Sequence, residues 1–195
     1  MRPFSTGHSP SLAELQRYVV AMERARHLDD STLMEQCLHL GEEAGEVCKA
    51  ARKHAGLLID PAGTSRDLGH ELADALIFVL AIANRAGIDL DAAVTDRQSG
   101  ARVSLTTLQE AAGQSRGRLA DASGLVEHAV NLVAAVGAVC ANVSTRKVTK
   151  QSDALAAELA EVLHALAVIA NHAHIDLDDA LWAKEEINEQ RTWAP

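Results

Sequence analysis

Aromatic residues, proline and cysteine are all scarce in this chain. Two Phe, one Tyr, two Trp and four Pro occur in 195 residues. Strands draw on aromatic and β-branched residues, so the first shortage disfavours sheet. The second leaves helices uninterrupted. Three cysteines, at 37, 48 and 140, are an odd number and show no C-x-x-C or Cys/His metal spacing. A complete disulfide framework is therefore excluded, and buried thiols in a reducing cytoplasm are expected. Positive charge is also short, with 18 Lys+Arg against 27 Asp+Glu and a formal net charge of −9. A nucleic-acid polymer needs Lys and Arg opposite its phosphates, so it is not an expected partner. Residues 1–10 hold no apolar signal-peptide core and read as a disordered lead-in. The longest apolar stretches, 75–83 and 129–143, fall short of the roughly 20 residues that span a bilayer, so no membrane partner is expected.

Alanine is abundant, at 36 residues. It is the best helix former, and no segment alternates with the period of a strand. The expected class is all-α. The chain also repeats itself. Ser11-Leu12-x-x-Leu15-Gln16 returns as Ser104-Leu105-x-x-Leu108-Gln109, and Gly45-x-Val47-Cys48 as Gly137-x-Val139-Cys140. Residues 70–93 align with 157–180, and 13 of the 24 positions are identical, far above chance. The chain reads as a duplicated unit: repeat one over 11–97, a linker over 98–103, and repeat two over 104–195. Each repeat predicts four helices. In the first, Ser11 with Glu14 and Thr32 with Glu35 are capping boxes. The second helix covers 31–55 and is broken by Gly56, Pro61 and Gly63. The third covers 66–86 and stops at Gly87, and the fourth starts at Asp89. Repeat two predicts a short helix from Ser104, then 123–144, 153–174 and 176–191. The expected arrangement is an intrachain pseudo-dimer about a pseudo-twofold axis.

Glu42, Glu43 and Glu46 stand at i, i+1 and i+4 on the second helix. They form either a solvated face or part of a site. The third helix is apolar almost all round, yet it carries Glu71 and Asp74. A carboxylate on such a helix needs a cation or a basic partner. Arg52, Lys53 and Arg66 are candidate partners. The alternative is a hard metal ion held by Glu43, Glu46, Glu71 and Asp74, whose all-oxygen donor set suits Mg²⁺ or Mn²⁺ rather than Zn²⁺. In repeat two the positions of Glu42, Glu43 and Glu46 are Ala134, Ala135 and Ala138. One metal site per chain is expected, in repeat one, and the apolar stretch Leu125–Val143 is expected to be core. Glu161-x-x-His164 near Glu158 is a lone fragment of a di-iron pattern, which needs two such pairs.

Glu42-Glu43-x-x-Glu46 followed, after a gap of 24 residues, by Glu71-x-x-Asp74 resembles the E-E-x-x-E…E-x-x-D signature of the all-α NTP pyrophosphohydrolases. The context from Leu40 to Ala50 is similar to the MazG-like members, a group akin to the dimeric dUTPases. The resemblance implies hydrolysis of a nucleoside triphosphate to its monophosphate and pyrophosphate, for nucleotide-pool cleansing. It implies Mg²⁺ at Glu43, Glu46, Glu71 and Asp74, with Glu42 or Glu46 accepting the proton of the attacking water. Lys184-x-x-x-Asn188-x-x-Arg191 resembles the group's phosphate-binding tail and places its residues on one helix face. Lys184 and Arg191 are otherwise ordinary solvated charges. Repeat one keeps only Arg97 there, with Ala101 and Ser104 following, so acids from one repeat and bases from the other imply a composite site. Phe78, one turn after Asp74, is either a wall of the base pocket or core. Trp182 covers the site or anchors the last helix. His39, Gln16 and the matched Asn84 and Asn171 are further polar candidates. A catalytically reduced nucleotide-binding or regulatory protein is the other reading. The duplication allows a monomer or a homodimer.

Overall fold

Local capping signals set most helix boundaries in the computed structural model, which describes residues 9–57, 67–95, 102–114, 122–145 and 153–192. Residues 1–8, Pro61, Gly63, Arg66, Arg97, the linker from Gln98 to Ala101, and the aromatics Phe4 and Trp193 lie outside this set. Helix α1 (Leu12–Ala25) starts at a reciprocal Ser11–Glu14 box, and α2 (Leu33–His54) at a Thr32–Glu35 box. Asp67 caps α3 (Leu68–Ala86), which ends at Gly87 with φ 69°. Asp89 caps α4 (Leu90–Val94). Then follow α5 (Leu105–Gln114), α6 (Ala122–Thr145), α7 (Asp153–His172) and α8 (Leu177–Glu189), the last capped by Asp176. Ser104 and Thr107 cap α5 reciprocally, with a hydroxyl doing what Glu14 does for α1. The described residues form eight helices and no strand; an isolated antiparallel bridge joins Ser11 to Ser104.

Helices α2, α3, α7 and α6 pack in a closed ring around the core. Helix α1 lies on α3, and α5 on α7. The short α4 packs on α7, and α8 packs on α3. Gly69 lies at the second of these contacts: a Cβ there would reach the Ala180 Cβ at an ordinary contact distance of 3.5 Å, and its tight approach, 3.0 Å, would be to Oδ1 of the α3 cap Asp67. The two halves share their internal ties. Gln16 Nε2 donates to Asn84 Oδ1 at 3.1 Å and to the Ile88 carbonyl at 2.8 Å, while its Oε1 accepts from the Leu90 amide. Gln109 makes the same three bonds, to Asn171, Ile175 and Leu177. Gln16 and both asparagines therefore tie first helices to the ends of third helices. Where Gly87 adopts positive φ, His174 does so at 56°.

Helix α6 differs from expectation. It packs antiparallel to α2, with Cys48 Sγ 3.6 Å from the Ala129 carbonyl oxygen and Cys140 Sγ 3.5 Å from that of Cys37. Leu125, Leu132, Val136 and Val139 are buried, but Val130 and Val133 are 62% and 48% exposed. The helix belongs to the ring's edge and is covered on one side. Gly124–Thr145 is also long and apolar enough to cross a membrane, by length and composition only. The thiols are free, and burial pushes Cys37 up to about 12, which makes it a poor nucleophile.

Candidate metal centre and adjoining cavity

The acidic site forms where α2 and α3 lie side by side. Glu43 projects from the middle of α2; Glu71 and Asp74 are one turn apart at the start of α3. One oxygen from each of the three carboxylates lies within 4.8 Å of the others. Glu71 is fully buried, and Glu43 is half-buried. Among the described residues this is the only such group, so Glu161 and His164, both exposed, assemble no second centre. The cluster can hold a metal ion. Glu43 Oε2 is buried without a hydrogen-bond partner among the described residues. A divalent ion satisfies such an oxygen, and an all-carboxylate donor set suits a hard one.

Crowding shows in the titration of Glu43, whose carboxyl is pushed up to about 7. Burial is the largest cause, followed by the like charges of Asp74 and Glu71; Lys184 opposes them. Lys184 arrives on α8, is itself buried, and forms an ion pair with Asp74. A basic partner of Asp74 thus comes from the far end of the chain; Arg52 and Lys53 are exposed, and Arg66 lies outside the described residues.

Glu46 and Glu42 stand apart from the three. Glu46 pairs with Lys49 at 3.3 Å, and Glu42, 70% exposed, lies 3.8 Å from His39. Asn188 is buried and donates to Glu185 Oε1 at 3.0 Å. Arg191, just past the end of α8, is exposed. Both line a cavity of about 270 Å³ that runs from Glu43 and Asp74 toward α1. Phe78 lines it too, stacked on His39 with ring centroids 5.2 Å apart and planes at 21°. Trp182 is an anchor: it meets Tyr18 edge-on at 5.1 Å.

Sequence reasoning missed the polar floor of this cavity. Gln36 is buried and donates to Glu23 Oε1 at 3.4 Å, and Arg85 Nη1 grips both oxygens of Glu23 at 2.9 and 3.0 Å. The available signal was spacing, since Gln36, Leu40, Glu43 and Val47 share one face of α2. Arg26 and Glu185 were also missed. Arg26 makes bonds of 3.1 and 2.8 Å to Glu185, which accepts from Tyr18 as well and fixes α8 against α1. Burial raises the Glu185 carboxyl, but hydrogen bonds from Arg26, Tyr18 and Asn188 outweigh it and leave it lowered.

The chain matches no protein-family model, no curated protein and no solved structure.

Proposed function

We propose that this protein is a Mg²⁺-dependent nucleoside triphosphate pyrophosphohydrolase that converts a (d)NTP to its monophosphate and pyrophosphate. The observation that carries the reading is the meeting of Glu43, Glu71 and Asp74, with Lys184 paired to Asp74, beside a cavity of about 270 Å³ that Glu43 and Asp74 line. Glu43, Glu71 and Asp74 would hold the ion, with Glu46 one turn along α2 as the fourth carboxylate of the motif. Bound there, the ion neutralises phosphate oxygens and activates water. The chain's own groups do the rest. Lys184 turns its ammonium from Asp74 to a phosphate oxygen, and Arg191 and Asn188 steady the other phosphates. Glu42 or Glu46, flanking Glu43, accepts the proton of the attacking water. Phe78 and His39 exclude water from the base end.

In this reading the chain is a MazG-like tandem duplication folded as a pseudo-dimer and working in the cytoplasm, alone or as a homodimer. The matched Gln–Asn ties and the exchange of α4 and α8 between halves support the duplication. The exchange also explains how acids kept in one repeat meet a basic tail kept in the other.

A panel of canonical and modified nucleotides with Mg²⁺ and pyrophosphate detection tests the activity. Turnover of at least one, lost in Asp74→Asn, is expected; inactivity on every nucleotide overturns the reading. One observation favours the catalytically reduced alternative, namely that Lys184 already places a cation beside Asp74. Nucleotide-dependent thermal stabilisation without turnover is its signature.

A further inference from the structure

Beyond the phosphate end, the cavity closes on an amide with an unused acceptor. Gln36 is 3% exposed, and its Oε1 has no hydrogen-bond partner among the described residues. A buried acceptor left unmatched is costly and calls for a ligand or water. The orientation of the amide follows from its neighbour. Glu23 is held by Arg85, and a carboxylate so engaged accepts hydrogen bonds. Gln36 turns its NH₂ toward Glu23, so Oε1 is the atom of this cavity-lining amide left without a partner among the described residues. Arg85 is itself braced on the carbonyls of Ser31 at 2.7 Å and Leu28 at 3.3 Å. The acceptor is thus positioned before anything binds. It belongs to the same cavity as the stacked His39–Phe78 pair and the carboxylates Glu43 and Asp74.

We propose that Gln36 is a specificity-determining residue that reads the nucleobase, its Oε1 accepting a hydrogen bond from an N–H on the base edge while Phe78 and His39 pack against the ring. The ligand class is a nucleotide whose base presents an amino or imino donor. Glu23 and Arg85 are positioning residues that fix the amide. The inference rests on the triphosphate reading above, because it places the phosphates at Glu43 and Lys184. A site built around one buried acceptor rejects a ligand that lacks the matching donor, since the acceptor then stays unmatched.

The test compares wild-type protein and Gln36→Met on UTP, CTP and ATP, and on N3-methyl-UTP, N4,N4-dimethyl-CTP and N6,N6-dimethyl-ATP. Wild type should lose about tenfold or more in kcat/KM on the methylated partner of its preferred nucleotide. Gln36→Met should shrink that ratio to about twofold. The same ratio in both proteins means that bulk alone discriminates and overturns the inference, while the pyrophosphohydrolase reading stands. The wild-type comparison needs no variant to fold: equal rates on a nucleotide and its methylated partner also overturn it. Thermal shifts with the matching monophosphates separate the two claims. Donor-dependent stabilisation without hydrolysis of any triphosphate sinks the catalytic reading and keeps Gln36 as the reader. No stabilisation and no hydrolysis sinks both.

Discussion

Glu43 would set the pH dependence of ion binding at the proposed metal centre. Its folded-state value of about 7 lies above the ordinary 4.5, so the native protein favours its protonated form. The stability this contributes is fully present below the unfolded value and is lost as pH rises through the folded one. Without divalent ions, the melting temperature should therefore fall between about pH 5 and pH 8 through this group. Mg²⁺ displaces the proton, so its stabilisation should be small at the acid end and grow across that window. Differential scanning fluorimetry with and without Mg²⁺ checks this, and a pH-independent Mg²⁺ effect removes Glu43 from the ligand set. Asp74→Asn takes away one of the like charges acting on Glu43. It should shift the window to lower pH and abolish the Mg²⁺ effect while the protein stays folded. Lys184→Met does the opposite and removes the cation that pairs with Asp74. A loss of about 3 kcal/mol in the metal-free protein is expected from denaturant titration, with Mg²⁺ restoring part of it. The acids were legible in the sequence because carboxylates on an apolar helix violate the burial rule. The cation facing Asp74 was not legible from burial or periodicity, since Lys184 lies 110 positions away.

Helix ends were the most legible elements, because each is written locally. Ser11, Thr32, Asp89 and Asp176 cap where the sequence places them, and Gly87 ends α3. The circumference of a helix is a different matter. Periodicity says which residues are apolar but not how many neighbours a helix will have, so α6 read as core although half of it faces outward. Polar residues at helix junctions were equally ambiguous until their partners were visible. Gln16 satisfies an amide and a carbonyl at the α3–α4 junction, where Gln16→Ala leaves both unmet. We expect a loss of about 2 kcal/mol, or several degrees in melting temperature, with activity retained below the transition. Gln109→Ala should behave alike in the other half, and a silent Gln16→Ala contradicts the assignment. Gly69→Val acts through an element instead. Its branched side chain, larger than the Cβ that just fits against Ala180, should press on α8 and weaken the Lys184–Asp74 pair, so the proposed Mg²⁺-dependent activity should fall more steeply than the stability. Loss of both in proportion would point to unfolding.

At the scale of the molecule, the exchange of fourth helices decides how the two halves unfold. If α4 and α8 each packed on their own half, two weakly joined units would melt separately. Instead α8 lies on α3, α4 lies on α7, and the buried Arg26–Glu185 pair ties α1 to α8. Each half therefore completes the other's core, and neither can open without exposing Leu177, Leu181 and Trp182 or the residues they cover. Calorimetry should show one cooperative transition, which Mg²⁺ moves upward as a unit. The ion pair tests the coupling directly. Arg26→Leu takes the cation from a buried Glu185 and should lower stability by about 3–5 kcal/mol, whereas Arg26→Leu combined with Glu185→Leu should recover only part of it, because the apolar pair removes the buried charge but also the acceptor of Tyr18 and Asn188. If the single variant splits the calorimetric peak, the tie is what makes the halves one unit. If the peak stays single and merely moves, the crossed helices suffice. Two peaks in the wild-type protein would show that the halves are autonomous, and that a site drawing acids from one and its lysine from the other assembles only after both have folded.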